Sequence, residues 1–446
     1  MTQSQMTINM IHRRVVWGLL GVRSVSSSIH EGVSCKLLVC GGGAGGCSIA
    51  AKFASKLGPE GCVVVEPSDT HYYQPMWTLV GGGLKSLDQS ARPMANVLPA
   101  KATWIKDSVA YFRPEENKIV TSSGTTIKYD FMVVALGLDT HFEAIPGLKT
   151  ALEIPESGVC SNYHPKYAEK TFKCVKNFQS GNALFTYPNS PVKCGGAPQK
   201  ICYLTDALLR KDGKRERAKL KYITSLDSLF SVKKYADKLE EMCKRRDIEI
   251  VLRSELIEIR PDSKEAVFRN IDLPYPSDVE IVEFEMLHAV PPMSAPAVLK
   301  KTPQLTDGEG FLSIDKETLR HIKFKNIFGV GDCTNLPTAK TAAAVSVQVG
   351  VLGRNLAAVM KNKEPTSKYN GYSSCPLVTS LNRGILAEFD YDSQPLESFP
   401  FDQGKERYMS FLLKKDIMPM LYWHGLLKGR WNGPGTMRTI LHLGFK

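Results

Sequence analysis

Residues 35–46 read Cys-Lys-Leu-Leu-Val-Cys-Gly-Gly-Gly-Ala-Gly-Gly, a short apolar strand that runs into a glycine-rich turn. A segment of helical composition follows, and a second apolar strand at 62–65 ends at Glu66. The order strand, helix, strand predicts a parallel βαβ unit. Further apolar strands, each near a helical segment, are predicted at 131–136, 182–186, 219–224, 248–252 and 327–330. The sequence therefore predicts an α/β protein with two doubly wound units.

The glycine-rich turn has the Gly-x-Gly-x-x-Gly spacing at Gly41, Gly43 and Gly46. The first glycine permits a tight turn, the second lets the backbone approach a pyrophosphate, and the third lets the helix pack on the strand. The helix start adds free N–H groups and a positive dipole, and Glu66 is placed to accept hydrogen bonds from ribose hydroxyls. A glycine-rich run can also be a simple flexible turn. Because strand, helix, second strand and acid follow in order, we favour a dinucleotide site.

Composition narrows the class of protein. The 446 residues are 43% hydrophobic and 23% charged, which excludes a disordered or collagen-like chain. The net charge of +12 suits an anionic membrane face or anionic substrates, and no nucleic-acid module accompanies it. Apolar runs are too short for a predicted transmembrane helix. The 11 scattered cysteines contain no Cys-x-x-Cys and no zinc spacing, so we predict neither a disulfide framework nor a metal site.

Residues 1–30 differ from the rest of the chain. They contain Arg13, Arg14, Arg23 and five serines, and no acidic residue precedes Glu31. An Arg-rich, Ser-rich segment without acids is typical of a mitochondrial transit peptide. The alternative is an ordinary disordered tail.

A second motif indicates which dinucleotide is bound. Residues 326–332 read Asn-Ile-Phe-Gly-Val-Gly-Asp, a strand that ends in Gly-Asp before a helix. This motif resembles the flavoproteins with two dinucleotide-binding domains, in which such an aspartate, here Asp332, binds the ribityl chain. Ala135-Leu136-Gly137 resembles the motif at which the chain leaves their flavin domain. The resemblance implies FAD, and we assign Gln74 and Lys340 to the same site.

The second predicted unit lacks a phosphate-binding turn. After its first strand come Pro188, Pro191 and Pro198. Proline has no N–H to offer a phosphate, so we predict that the flavin does not take hydride from a nicotinamide. The same segment contains Cys194, between Lys193 and Lys200 and just before a helix predicted at 201–210. A helix start and neighbouring cations lower a thiol pKa.

A second cysteine of interest, Cys375, lies in a polar turn before an apolar strand. Free cysteines are often buried small hydrophobes, and this alternative applies to both Cys194 and Cys375. The two residues are far apart along the chain, so sequence alone does not show that they meet.

Four segments resemble the mitochondrial sulfide:quinone oxidoreductases. They are Glu66-Pro-Ser with Tyr-Gln-Pro-Met-Trp-Thr-Leu-Val-Gly at 73–81, Pro-Val-Lys-Cys-Gly-Gly-Ala-Pro-Gln-Lys at 191–200, Gly-Asp-Cys-Thr-Asn-Leu-Pro at 331–337, and Ser-Cys-Pro-Leu-Val-Thr at 374–379. The resemblance implies that Cys194 and Cys375 are the redox disulfide, with Lys200 near the cysteines and Lys414 near a quinone. Cys160 does not match the third cysteine of some bacterial relatives, so non-covalent FAD is expected. Glu153 is only a neighbour of the position of a proposed family acid.

The resemblance also implies a reaction. Hydrogen sulfide attacks the disulfide, and FAD passes two electrons to ubiquinone. Glutathione or sulfite then removes the persulfide sulfur. We assign the persulfide to Cys375 and electron donation to Cys194, although which cysteine does which stays open. The alternatives are an NADH:quinone oxidoreductase on the same fold and a non-enzymatic membrane flavoprotein.

The tail, residues 401–446, combines basic residues with Trp, Tyr, Phe and Leu. This composition is typical of an interfacial membrane anchor, and the alternative is a helical cap packed on the protein. We assign Phe411, Tyr422 and Trp423 to quinone or membrane contact, which places the enzyme peripherally on the mitochondrial inner membrane, on the matrix side.

The resemblance divides the chain into two Rossmann-like domains of the disulfide-reductase flavoprotein type and a C-terminal membrane-associating region. The expected segments are the transit peptide 1–30, a discontinuous FAD domain 31–150 and 325–365, a second domain 151–324, and a C-terminal redox-cysteine and quinone region 366–446.

Overall fold

The computed structural model describes residues 32–273 and 279–444, so the predicted transit peptide lies outside the described residues. The strands are β1 (Val33–Cys40), β2 (Cys62–Val65), β3 (Thr70–Tyr72), β4 (Ala91–Pro93), β5 (Thr103–Ile105), β6 (Val109–Arg113), β7 (Lys118–Thr121), β8 (Thr126–Val134), β9 (Asp139–Thr140), β10 (Val159–Cys160), β11 (Gly181–Tyr187), β12 (Ala218–Thr224), β13 (Ile248–Val251), β14 (Ser254–Arg260), β15 (Glu265–Asn270), β16 (Val279–Glu283), β17 (Met286–His288), β18 (Met293–Ser294), β19 (Ile327–Gly329), β20 (Ser373–Val378) and β21 (Gly384–Phe389). The helices are α1 (Ala44–Leu57), α2 (Trp77–Gly81), α3 (Met94–Val97), α4 (Leu148–Glu153), α5 (Pro165–Asn177), α6 (Ala197–Lys211), α7 (Lys233–Arg245), α8 (Ala297–Lys300), α9 (Ala342–Val359), α10 (Tyr408–Leu412), α11 (Met418–Met420) and α12 (Gly435–Leu441).

The first sheet has a parallel core in the order β5-β2-β1-β8-β19. Its central strands are runs of apolar residues buried on both faces, as parallel strands between helices require. The first half of β8 also pairs with β7 in antiparallel fashion, and its last residues, Met132–Val134, pair with β19. Because β19 comes from much later in the chain, two separated segments build this sheet.

The second sheet is parallel throughout, in the order β10-β17-β11-β12-β13. Helices α6 and α7 pack against its strands, and α5 packs against β10. The three antiparallel strands β14, β15 and β16 form a smaller sheet beside it. The α/β fold with two doubly wound parallel sheets is therefore confirmed.

Several element boundaries differ from the predicted ones by a few residues. The helix predicted at 201–210 begins at Ala197, because Pro198 falls in its first turn, where a missing N–H removes no hydrogen bond. The strand predicted at 131–136 is the end of the longer β8 and stops at Val134.

Helix α9 is long and apolar enough to cross a membrane by length and composition alone. It packs against α1 and β20, and 56% of it is buried inside the chain. Buried core helices can be equally long and apolar, so the length and composition of α9 are only weak evidence for a membrane span.

The C-terminal segment begins with the β20–β21 hairpin, in which Cys375 pairs with Ala387. Beyond it, α10 packs on both strands of the hairpin. Residues Leu413–Ile417 and Leu421–Leu426 are π-helical and alternate with the short helices α10 and α11. This continuous helical segment brings the tail next to the first sheet.

Candidate active site

The glycine-rich turn joins β1 to α1 and forms one wall of the site. Gly41 has φ +103°, and a Cβ there would lie 2.5 Å from the carbonyl oxygen of Ala135. A Cβ on Gly46 would lie 1.8 Å from the carbonyl oxygen of Gly41, so only glycine lets α1 pack this closely. Nothing lies within 4 Å of a Cβ on Gly43, which leaves this backbone open to the cavity. The turn thus has the shape that phosphate groups require.

Glu66 lies at the end of β2, beside this turn. Its carboxylate accepts hydrogen bonds from the backbone N–H of Gly42 at 2.6 Å and of Ser68 at 2.7 Å. Burial raises the pKa of Glu66, and these two N–H groups oppose the shift. A carboxylate held at the mouth of the turn suits a ribose hydroxyl.

One cavity of about 510 Å³ connects the turn to the predicted redox residues. Of the residues predicted from sequence, it is lined by Gly43, Glu66, Gln74, Ala135, Gly137, Cys194, Lys200, Asp332, Lys340, Cys375, Lys414 and Tyr422. Gly41 and Gly46 shape the turn behind it, and Phe411 and Trp423 do not line it. Among the described residues, no group of three or more His, Cys, Asp or Glu side chains could hold a metal ion.

Cys194 is held in the loop before α6 by its backbone. It has φ +53°, which is uncommon for a residue with a side chain. Its N–H donates to the carbonyl of Lys340 at 2.8 Å, and the Tyr163 hydroxyl donates to its carbonyl at 3.2 Å. These contacts place the Cys194 thiol within hydrogen-bonding reach of Cys375. The structure therefore brings together two cysteines that the sequence left apart.

Lys200, from the first turns of α6, completes the thiol site. Its Nζ lies 3.2 Å from Cys194 Sγ, and its side chain is almost fully buried. Burial disfavours the ammonium, but the charges of Cys194 and Cys375 outweigh it and raise the pKa of Lys200 to about 12. The hydrogen bond from Cys375 holds the pKa of Cys194 well below its usual value, with help from Lys200, whereas the pKa of Cys375 is raised. The reduced site thus carries one thiolate, one thiol and one ammonium.

Lys414 reaches the same cavity from the C-terminal segment. Its Nζ donates to the carbonyl of Pro75 at 2.9 Å. Burial and the nearby charge of Lys200 lower the pKa of Lys414 to about 7. This ammonium can therefore lose its proton in the physiological pH range.

Asp332 and Lys340 both lie in the loop between β19 and α9, Asp332 near its beginning and Lys340 near its end, and both line the cavity. Burial raises the pKa of Asp332, and the charges of Lys340 and Lys193 oppose this shift. Lys340 donates to the carbonyls of Asp332 at 2.7 Å and Thr334 at 3.2 Å. Lys193 does not face Cys194 as the sequence suggested. It lies 5.5 Å from the ring centre of Trp77, and burial lowers its pKa to about 8.

His71 is a site residue that sequence reasoning missed. Its Nδ1 lies 3.0 Å from the carbonyl of Gly42, and its Nε2 lies 2.6 Å from the Tyr422 hydroxyl. Since a carbonyl only accepts, Nδ1 carries the proton and Nε2 accepts from Tyr422. Burial lowers the pKa of His71 to about 4, so the ring is neutral. It joins the nucleotide turn to the tail, and no local sequence pattern marks it.

The aromatic residues assigned to the tail are placed differently from the expected exposed anchor. Phe411, Tyr422 and Trp423 are all buried, and Trp423 packs against His71 and under the guanidinium of Arg92. Within the described part of the tail, which ends at residue 444, the exposed large apolar side chains are Tyr408, Met409, Ile417, Met420, Met437, Ile440, Leu441 and Leu443. The three assigned aromatic residues of the tail therefore pack against the rest of the protein, and a different group of apolar side chains is exposed.

The fold and the site define an oxidoreductase that binds a dinucleotide and has a dithiol next to it. A family model described as pyridine nucleotide-disulphide oxidoreductase matches residues 35–346, most of the chain.

Curated relatives identify the branch of this family. The chain is 51% identical over 422 residues, 93% of each chain, to a protein of Mus musculus named sulfide:quinone oxidoreductase, mitochondrial. It is 46% identical to a Dictyostelium discoideum protein of the same name, over 90% of this chain and 88% of the relative. The chain belongs to the mitochondrial sulfide:quinone oxidoreductases.

A solved structure supports the fold alone. The sulfide:quinone oxidoreductase of Aquifex aeolicus matches with a TM-score of 0.75 at 17% identity, over 92% of this chain and 96% of that chain.

Proposed function

We propose that this protein oxidises hydrogen sulfide at a Cys194–Cys375 disulfide and passes two electrons through FAD to ubiquinone. The observation that carries the proposal is the placement of both thiols beside Lys200, in the cavity that the nucleotide turn also lines. The names of the relatives support sulfide and quinone as the two substrates and the mitochondrion as the location.

The cavity residues fit FAD. The open backbone at Gly43 and the start of α1 would hold its pyrophosphate, and Glu66 would hold a ribose. Asp332, a buried acid facing the same cavity, would accept from the ribityl hydroxyls. When bound, the flavin accepts an electron pair and gives it to a quinone.

The sulfide step is a thiol–disulfide exchange. Hydrosulfide attacks Cys375 Sγ, the bond between the cysteines breaks, and Cys375 becomes a persulfide while Cys194 leaves as a thiolate. The structure supports this assignment because Cys194 is the cysteine with the depressed pKa, and a stable thiolate is the better leaving group. Lys200 stabilises that thiolate and attracts the anionic nucleophile.

The sulfur then leaves to a small acceptor. We infer that glutathione or sulfite attacks the outer sulfur of the Cys375 persulfide, which leaves Cys375 as a thiolate. Loss of two electrons from the dithiolate restores the disulfide, so each turnover releases two electrons from sulfide. Sulfide thus supplies both electrons that the quinone accepts, so no nicotinamide is required as an electron donor.

Lys414 and the tail support the quinone half of the reaction. A quinone that takes two electrons also takes two protons, and an ammonium with a pKa of about 7 can donate one. The exposed apolar and basic residues of the tail would bind the protein to one leaflet, in our proposal the matrix face of the inner membrane.

We propose the same domain boundaries that the sequence indicated. The FAD domain comprises residues 31–150 and 325–365, residues 151–324 form the inserted domain, and residues 366–446 form the quinone region.

Anaerobic titration of the flavin tests the proposal. Sulfide is expected to bleach the flavin absorbance, whereas NADH is not, because the loop at 188–196 lacks a phosphate-binding turn. Cys194→Ser and Cys375→Ser are each expected to retain FAD, and the rate at which sulfide reduces the flavin is expected to fall by a factor of about 1,000 or more. Cys202→Ala, on the same helix as Lys200, is the matched control and should keep the wild-type rate of flavin reduction.

Two outcomes contradict the proposal. Bleaching by NADH would favour an NADH:quinone oxidoreductase. If sulfide still reduces the flavin in both serine variants, the disulfide mechanism is wrong. Steady-state reduction of a ubiquinone analogue with glutathione, sulfite or neither identifies the sulfur acceptor.

A further inference from the structure

A second pair of cysteines meets outside the cavity. Cys160 is the last residue of β10, and Cys174 lies on α5, which packs against that strand. Their thiols lie within hydrogen-bonding reach of each other, and neither residue lines the active-site cavity. Cys160 also approaches the carbonyl of Leu287 in the neighbouring strand β17, at 3.6 Å. No local sequence pattern pairs these two residues, which meet only through the packing of α5 on β10.

A fixed cation lies beside this pair. Lys170, one helical turn before Cys174, donates to the carbonyls of Ala151 and Leu152 at 3.0 Å and to Ser157 Oγ at 3.2 Å. These bonds anchor its ammonium at the C-terminal end of α4, where the Ser157 hydroxyl also donates to the carbonyl of Ala151 at 2.6 Å. The charge is thus held in place near both thiols.

The cation and the pairing make Cys174 unlike the other buried thiols. The hydrogen bond from Cys160 lowers the pKa of Cys174, the charge of Lys170 acts in the same direction, and burial and Glu156 oppose it. Burial instead raises the pKa of Cys202 well above its usual value and that of Cys243 to about 11. Cys174 is also 7% exposed, whereas Cys160 is fully buried, so Cys174 is the more accessible of the two thiols.

We propose that Cys160 and Cys174 form a second redox-active dithiol, which small disulfides convert to an intramolecular disulfide. The thiolate of Cys174 attacks one sulfur of the small disulfide, forms a mixed disulfide and releases one small thiolate. Cys160 then attacks Cys174 Sγ and releases the second. One small disulfide is reduced to two thiols, the two cysteines are oxidised to one disulfide, and their two protons pass to the released thiolates.

The position of the pair connects it to the active site. Directly after Cys160 the chain runs through Asn162, which lines the cavity, to Tyr163, whose hydroxyl holds the carbonyl of Cys194. A bond between Cys160 and Cys174 would tie the start of this segment to α5. The oxidised pair would therefore restrict the segment that positions Cys194, without touching the reacting sulfur atoms.

Mass spectrometry after controlled oxidation tests the inference independently of the proposed reaction. The full-length protein with its flavin is equilibrated anaerobically with 2-hydroxyethyl disulfide, without sulfide or quinone. It is then quenched with acid, alkylated with N-ethylmaleimide and mapped after proteolysis. We expect a peptide pair cross-linked through Cys160 and Cys174 in the wild type and in the control Cys202→Ala.

Two variants separate the steps. Cys174→Ser is expected to leave Cys160 as a free, alkylated thiol. Cys160→Ala is expected to accumulate the mixed disulfide of Cys174 with the small thiol, because the resolving cysteine is missing. The inference is overturned if Cys160 and Cys174 are both fully alkylated in the wild type at equilibrium, whatever the state of Cys194 and Cys375.

Discussion

Strand β1 of the first sheet and strand β11 of the second sheet are each followed by a turn that leads directly into a helix, but the two turns differ. In the first sheet, β1 passes through residues 41–43 into α1, and the turn leaves the backbone at Gly43 open to the cavity. In the second, β11 passes through residues 188–196 into α6, and the longer loop presents Cys194 beside Lys200. The same strand–turn–helix geometry thus supports a phosphate cradle in one sheet and a nucleophile in the other.

The difference shows what each turn can bind. A short turn of glycines leaves room for a ligand against the backbone. The second loop has prolines at 188 and 191, which remove donors, and it holds a side chain forward at positive φ. Both turns line one cavity, so a dinucleotide bound at the first turn would lie next to the thiol that the second loop presents.

Glycine substitutions in the two turns should separate FAD binding from sulfide oxidation with the largest effects. In Gly46→Ala the new Cβ would lie 1.8 Å from a backbone oxygen, so the turn has to distort. In Gly196→Ala it would lie 2.4 Å from Cys375 Sγ, at the end of a side chain, and the backbone conformation at Gly196 is ordinary. We expect Gly46→Ala to be purified with little or no FAD.

Gly196→Ala is expected to keep full FAD content and to lose sulfide-dependent flavin reduction by about tenfold or more, because it displaces Cys375. Flavin content by absorbance and anaerobic stopped-flow reduction check both expectations. Equal FAD content in the two variants would show that the first turn is not the cofactor cradle.

Lys200 lies on α6, directly after the second loop, and its removal should raise the pKa of the Cys194 thiol. In Lys200→Met the Cys194 thiolate loses its neighbouring ammonium. We expect alkylation of Cys194 by iodoacetamide, after anaerobic reduction, to slow about tenfold at pH 7 and to recover at higher pH. Lys211→Met, at the other end of α6, should leave the pH profile unchanged. A profile that Lys200→Met does not move would mean that the ammonium does not stabilise the thiolate.

Lys414 comes from the tail and tests what the third segment adds to the two turns. With a pKa of about 7, it is protonated below pH 7 and neutral above it. Quinone reduction is therefore expected to decline as pH rises through 7, and Lys414→Met should remove this limb and lower the rate at pH 6 by about tenfold. The neighbouring Lys415→Met, whose ammonium pairs with Asp416, should retain the wild-type profile. A wild-type rate that is flat from pH 6 to 8 would contradict the role.

The sequence was most informative where the chemistry is local. The glycine spacing, Glu66 and the strand before them predicted the first turn correctly, because a βαβ unit is specified by contiguous residues. Cys194 could be singled out from its lysines and prolines. Its meeting with Cys375 came only from the family resemblance, since no local pattern encodes a contact between β20 and the loop before α6.

The tail shows why other residues could not be placed. Its composition of aromatic and basic residues indicated an interfacial anchor, but composition does not tell which side chains turn inward in a segment where two π-helical stretches interrupt the helix. Tyr422 and Trp423 turn inward, where Trp423 packs against His71 and Arg92, and Met420 turns outward. His71 was missed because a neutral histidine between a carbonyl and a tyrosine is defined by its tertiary neighbours alone.

The division of the first sheet has a consequence for biosynthesis. All five strands of the second sheet lie between residues 159 and 288, inside the gap that separates β8 from β19. During synthesis, or during entry into an organelle from the N-terminus, the inserted unit is complete before the last parallel strand of the outer one has emerged. We expect the inserted unit to become ordered first, and the nucleotide pocket to close only when β19 and the loop carrying Asp332 arrive.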